Sequence, residues 1–322
     1  MKRTIVSAVA LALTLTLGLS AVAVPADAKG APDGQIAFSR QTGSGGANIF
    51  VADSDGSKIR QVPIPYLAED FASPSWSPDG RSLLISNLLR FDDAGELLPF
   101  RPATVKPDGS DFKLLDPPGA PFDMYCSGWS PNGRRLICGL GIDPTGLFTI
   151  RASDGGDPVR LTTNPYGAAD TFGDFSPDGK RFVLVRFKGE ETALFTAHSD
   201  GSHPRQLTPY GFAQGHELAT AHWSPDGQAI IFATAEGRLF LVHPASARLT
   251  PIHLRTGGST YFAFAPGWSP DETRIVFSLS TDGQEDIYTA RRDGTDLIRI
   301  TNTADFEPFA DWKPESRHRS GN

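Results

Sequence analysis

The sequence predicts an all-β fold assembled from repeated units, and three observations carry that expectation. Glycine and proline, 33 and 26 of 322 residues, form about 18% of the chain against about 12% in ordinary proteins. They recur at even spacing instead of pooling in one segment. A short element built of an aromatic residue, Ser, Pro, Asp or Asn, and Gly returns along the whole chain, and no stretch after residue 28 has helical periodicity. Hydrophobic residues are 39% of the chain and charged residues 21%, an ordinary globular balance that disfavours a collagen, a disordered tail or a helical bundle.

The recurring element stands at Trp76 before Ser77-Pro78-Asp79-Gly80, at Trp129 before Ser130-Pro131-Asn132-Gly133, and at Phe175 before Ser176-Pro177-Asp178-Gly179. It returns at Trp223 before Ser224-Pro225-Asp226-Gly227, at Trp268 before Ser269-Pro270-Asp271-Glu272, and in worn form at Trp312-Lys313-Pro314. The aromatics are 53, 46, 48, 45 and 44 residues apart, a period that suits four short strands per unit. Proline sets φ at the second turn position, Asp suits the third, and Gly can take the left-handed conformation, so each copy is expected to be a hairpin tip. A β-rich run follows each tip, as in Arg181-Phe182-Val183-Leu184-Val185 and Ala229-Ile230-Ile231-Phe232-Ala233. A third strand follows, seen in Ala193-Leu194-Phe195-Thr196. Second turns come next at Asp55-Gly56, Asp108-Gly109, Asp154-Gly155, Asp200-Gly201 and Asp293-Gly294, with Pro244-Ala245 in one unit. A fourth strand, such as Gln206-Leu207-Thr208, closes each unit.

The first expected strand, Gly34 to Ser39, has no aromatic-turn element before it, and the last element, at Trp312, has no strands after it. The two fragments complete each other. The expected architecture is therefore a six-bladed β-propeller over residues 29–314, closed by N- and C-terminal strands that share the last blade, with a polar C-terminal tail at 315–322. Closure of this kind removes exposed sheet edges.

Lys2 and Arg3 precede an apolar run from Thr4 to Val24, followed by Ala26-Asp27-Ala28, which reads as a signal peptide over residues 1–28. The competing reading is an uncleaved membrane anchor, and no later segment is apolar enough to cross a bilayer. Cleavage would leave 294 residues and move the formal charge from −7 to −8. An acidic chain without a basic cluster makes a poor nucleic-acid binder, and the lone run Arg317-His318-Arg319 lies in the tail. The expected location is secreted or periplasmic, within the cell envelope.

The Trp-Ser-Pro-Asp-Gly element, followed about 25 to 35 residues later by Asp-Gly and Leu-Thr, resembles the TolB-type propeller repeats, also found in prolyl oligopeptidase propellers and tricorn-like proteins. The resemblance covers nearly the whole expected mature chain. It implies a β-propeller fold. The Tol-Pal component carries an N-terminal α/β domain, whereas only Lys29 to Asp33 precede the first strand here. A Gly-x-Ser-x-Gly elbow, which the hydrolase domain of an oligopeptidase would need, is absent from the sequence.

Propellers bind at the channel mouth and on the loops of one face, so the connectors between units are the expected ligand surface. Five of the six tyrosines, Tyr66, Tyr125, Tyr166, Tyr210 and Tyr261, fall in or beside these connectors. Acids accompany them at Glu69, Asp70, Asp123, Asp170, Asp174, Glu217, Asp305, Glu307 and Asp311. The expected ligand-binding set on the channel face is Asp70, Asp123, Tyr125, Asp174, His216, Glu217, His222, Tyr261 and Asp311. The contrary reading is structural: aromatics wedge between blades and acids cap turns. Asp174 and Asp311 stand in the same place relative to their aromatics as His222 does, so all three should converge on the axis. With His216 they form a candidate site for a divalent cation, although the spacing matches no ligand motif and no cofactor is expected otherwise.

Two functions follow from this reading. The first is an exported, monomeric binding or scaffold module that engages a protein, peptide or glycan in the envelope, with no intrinsic catalysis. The second is a metal-assisted polysaccharide lyase or hydrolase acting in the channel, since pectate-degrading lyases related to the repeat family use a metal in a similar propeller. Cys126 and Cys138 flank the tip at Asn132 and are a candidate disulfide, against two buried free thiols. A three-residue tip would set them directly opposite; a four-residue tip would offset them by one.

Overall fold

The computed structural model describes residues 34–41, 43, 45–70, 72–117, 123–140, 146–163, 168–213, 220–281 and 283–315. The expected signal peptide and all but the first residue of the tail lie outside these, as do Tyr166, His216 and Glu217. Among the described residues no helix occurs, and so none is long and apolar enough to cross a membrane.

Among the described residues, twenty-four strands form six antiparallel four-stranded sheets. Blade one joins β1 (Gln35–Gln41), β2 (Ala47–Asp53) and β3 (Arg60–Gln61) to β24 (Ala310–Trp312). Blade two is β4 (Pro74–Trp76), β5 (Leu83–Leu88), β6 (Arg101–Val105) and β7 (Lys113–Leu114). Blade three is β8 (Met124–Trp129), β9 (Arg135–Leu140), β10 (Phe148–Arg151) and β11 (Val159–Arg160). Blade four is β12 (Ala168–Phe175), β13 (Arg181–Lys188), β14 (Glu191–His198) and β15 (Arg205–Gln206). Blade five is β16 (Ala221–Trp223), β17 (Ile230–Ala233), β18 (Leu239–Val242) and β19 (Leu249–Ile252). Blade six is β20 (Tyr261–Trp268), β21 (Arg274–Thr281), β22 (Gln284–Arg291) and β23 (Ile298–Arg299).

The ring closes as the repeat arithmetic requires. β24 pairs antiparallel with β1, matching Ile36 to Trp312, Ala37 to Asp311 and Phe38 to Ala310. Among the described residues, six of seven apolar clusters fill the spaces between neighbouring blades instead of one central core: Ile49 and Val51 of blade one pack with Trp76 and Ile85 of blade two, and Ile36 and Phe38 with Val276 and Ile287 of blade six. Burying both faces of each sheet accounts for the near-continuous apolar runs in the second strands.

Each tip is built the same way. The Ser77 hydroxyl donates to Asp79 Oδ1 (2.7 Å) and accepts from the Ser82 amide (3.0 Å), while the Gly80 amide donates to the Ser77 carbonyl (2.7 Å). The tip loop therefore has four residues, between the paired Ser77 and Ser82. Glycine supplies the positive φ at four of the five complete tips, and Glu272 adopts it at +60° in the fifth. At the third blade four residues would offset Cys126 from Cys138, yet the two are directly opposed. A bulge at Ser127 absorbs the offset, so Trp129 faces Leu136 while Cys126 faces Cys138, and their sulfurs are bonded.

Candidate functional site in the central channel

Strand alternation places one residue, the one before each aromatic, at the same point of every inner strand. Around the ring these are Ser75, Gly128, Asp174, His222, Gly267 and Asp311. The three titratable members lie on β12, β16 and β24. His222 Nδ1 stands 3.6 Å from Asp174 Oδ2, and the Phe172 ring meets the imidazole edge-on, with centroids 5.1 Å apart. Between His222 and Asp311 the ring has Gly267, which puts no side chain between the two inner strands.

Each carboxylate also fastens its blade to the next. The Trp223 amide donates to Asp174 Oδ2 (3.0 Å), and the Trp76 amide donates to Asp311 Oδ2 (2.7 Å). Burial among the inner strands pushes the Asp311 carboxyl up to about 6; the Trp76 amide and the His222 charge oppose this and the Asp174 charge adds to it. Burial works against a charged His222, but the hydrogen bond and charge of Asp174, together with Asp311, raise it above the ordinary histidine value. Asp311 and His222 are thus both shifted upward, and the two carboxylates beside His222 present acceptors to a cationic or hydrogen-bond-donating group.

His216 and Glu217 lie outside the described residues, and the other expected residues do not join this cluster. Asp70 accepts from the Gly46 amide (2.6 Å) and Asp123 from the Phe100 amide (3.0 Å), so both tie connectors to neighbouring loops. Tyr125 is partly exposed with its ring edge-on to Phe100, and Tyr261 lies beneath the Arg238 guanidinium at 4.5 Å. Asp170 is buried in a two-pronged pair with Arg186 (2.6 and 2.8 Å), and Glu307 is buried against Arg40 (2.7 Å) and Thr301. Among the described residues no group of three or more His, Cys, Asp or Glu side chains is placed to hold a metal ion.

A surface that sequence reasoning missed lies on the connector side of blades one to three. Phe91 is 60% exposed and Leu97 is 47% exposed on the loop between β5 and β6, with Leu67 exposed on the connector before β4 and Tyr125 at the start of β8. Backbone bonds from Leu89 to Leu67 (2.9 Å), Leu98 to Arg90 (2.8 Å) and Met124 to Phe100 (3.1 Å) join these segments into one surface. The available signal was Leu88-Leu89-Arg90-Phe91, an apolar run continuing past the end of an expected strand into a loop.

No protein-family model matches the chain. An uncharacterized protein of Agrobacterium fabrum is 28% identical over 195 residues, 58% of this chain and 59% of that protein. The Tol-Pal system protein TolB of Syntrophus aciditrophicus is 28% identical over 197 residues, 55% of this chain and 43% of the relative. The matches thus span about three-fifths and under half of these relatives' lengths. The crystal structure of TolB from Acinetobacter baumannii superposes with a TM-score of 0.65 at 15% identity, covering 88% of this chain and 67% of that one. Blade count, ring closure and channel together define a six-bladed β-propeller. With the repeat element and the relatives that share it, the chain is similar to TolB-type β-propellers in sequence and in fold.

Proposed function

We propose that this chain is an exported binding module that engages a protein partner in the cell envelope through its connector face. The observation that carries this reading is the joined apolar surface of Leu67, Phe91, Leu97 and Tyr125. Large apolar side chains grouped on one surface favour a macromolecular partner. The relatives' assignment to the Tol-Pal system supports a protein partner over a glycan. Export is supported by the Lys2-Arg3 start, the apolar run after it and the paired cysteines. A monomer fits a ring whose outer edge strands are only two to four residues long.

Capture from an envelope extract tests this, comparing the chain lacking residues 1–28 with its Phe91→Ser/Leu97→Ser variant. The same discrete protein should be retained by the first and lost by the second, at unchanged thermal stability. Equal retention by both would refute the apolar surface as the contact. Turnover of a polysaccharide that disappears on Asp174→Asn or His222→Gln substitution would replace binding by catalysis in the channel.

A further inference from the structure

Blades four and five meet differently from the other blades. Elsewhere the glycine of the second turn lies against the preceding blade: a Cβ on Gly201 would stand 1.6 Å from the Leu161 carbonyl, and one on Gly56 2.5 Å from that of Ile300. Blade five has Pro244-Ala245 at this turn. There a cleft of about 470 Å³ opens between the two blades, lined among others by Pro177, Arg181, Trp223, His243, Pro244 and Ala245.

The cleft contains donors that the repeat satisfies in other blades. Arg135 and Arg274, equivalent to Arg181, are each held within their own blade by Asp157 and Asp296, both at 2.7 Å. Blade four puts His203 where those aspartates stand, and His203 stacks on His198 with centroids 4.6 Å apart. Among the described residues Arg181 forms no ion pair. Trp129 and Trp268 donate their indole N–H to Ser75 and His222 carbonyls (3.3 and 3.2 Å), whereas Trp223, 7% exposed, has an indole N–H without an acceptor. Trp76 and Trp312 share this, but Lys313 stands over the Trp76 ring at 5.1 Å, as Arg292 does over Trp268 at 5.1 Å. His243 Nδ1, also in the cleft, is buried and unpartnered.

Two carboxylates set the charge limit. Asp178 and Asp226 line the same cleft, each accepting from a serine hydroxyl (2.7 and 2.6 Å) and a backbone amide (3.0 and 2.8 Å). Both stay ionised: the Ser176 hydroxyl and Lys180 amide, with the Lys180 and Arg181 charges, lower Asp178, and against burial the Ser224 hydroxyl and Gln228 amide lower Asp226. These two charges repel a dianion more than a monoanion.

We propose that the cleft between blades four and five binds the carboxylate of a small organic monoacid, with Arg181 supplying a two-pronged donor beside the Trp223 and His243 rings that line it. The site lies on the tip side of the ring and is independent of the connector-face reading.

Titration of the folded, isotope-labelled chain with propionate at constant ionic strength tests the proposal, read at the assigned Trp223 indole N–H resonance. A saturable shift is expected at Trp223, with binding weakened at least tenfold in Arg181→Gln and by less in Arg181→Lys. Inorganic phosphate should give no saturable shift. The proposal is overturned if propionate leaves the Trp223 signal unmoved, if both Arg181 variants bind as the parent does, or if phosphate binds as well as propionate.

Discussion

Asp311 and His222 occupy equivalent places on two inner strands, and their protonation depends on burial and on each other. The Asp311 carboxyl rises from 3.8 to about 6 on folding, so between those values the folded chain keeps a proton that the unfolded chain has lost. Its contribution to stability therefore falls as pH rises through that window. His222 is raised above 6.5 on folding, so the stability it contributes is full below 6.5 and is lost as pH rises through the folded value. Both act in the same direction. The urea midpoint should decline from about pH 4 to above neutrality, with Asp311→Asn flattening the lower part and His222→Gln the upper part. A parallel decline in both variants would contradict the channel electrostatics. Equivalence of Asp174, His222 and Asp311 was legible from their spacing to the aromatics. That Asp174 and Asp311 also bind the amide of the next blade's tryptophan was not, because that bond crosses between units whose approach no local pattern encodes.

Among the elements, the second turn and the third hairpin carry consequences that turn chemistry alone does not reveal. Asp-Gly reads in sequence as a turn former, but Gly201, at φ +84°, also lets its turn lie against Leu161 of the preceding blade. Gly201→Ala combines left-handed strain with a backbone clash and should cost about 2–4 kcal/mol. Gly283→Ala, at φ +80° with open space around it, should cost only about 1–2 kcal/mol. Equal losses in denaturant titrations would show that the inter-blade contact is unimportant. In the third hairpin the opposition of Cys126 and Cys138 needs both a four-residue tip and a bulge at Ser127, and sequence spacing left the two registers open. Oxidised protein should show a mass two hydrogens below the dithiol form. Replacing both cysteines by serine should cost about 2–3 kcal/mol, as expected for a short closed loop. A full-mass dithiol in protein recovered from an oxidising compartment would refute the bond.

For the whole molecule, stability rests on the ring being shut by its own ends. Phe309 and Trp312 are buried, the Ser39 amide donates to the Phe309 carbonyl (3.0 Å), and the Lys313 amide to that of Gln35 (2.8 Å). Truncation after Pro308 removes two large buried aromatics and the inner strand of blade one, a loss of roughly 5 kcal/mol or more against a typical total of about 5–15 kcal/mol. Thermal unfolding should move sharply downward or lose its cooperativity; an unchanged transition would refute closure through β24. The number of blades, the strands within each and the pairing of the two ends were determined by sequence alone, because period, turn residues and alternation are local properties that each unit repeats. Only the tertiary structure decided where neighbouring blades touch: the carboxylates that cross between them, the bulge that realigns the cysteines, the apolar connector surface, and the cleft beside Pro244-Ala245. Those depend on distances between units far apart in the chain, where one glycine or one bulge changes the contact without changing the repeat.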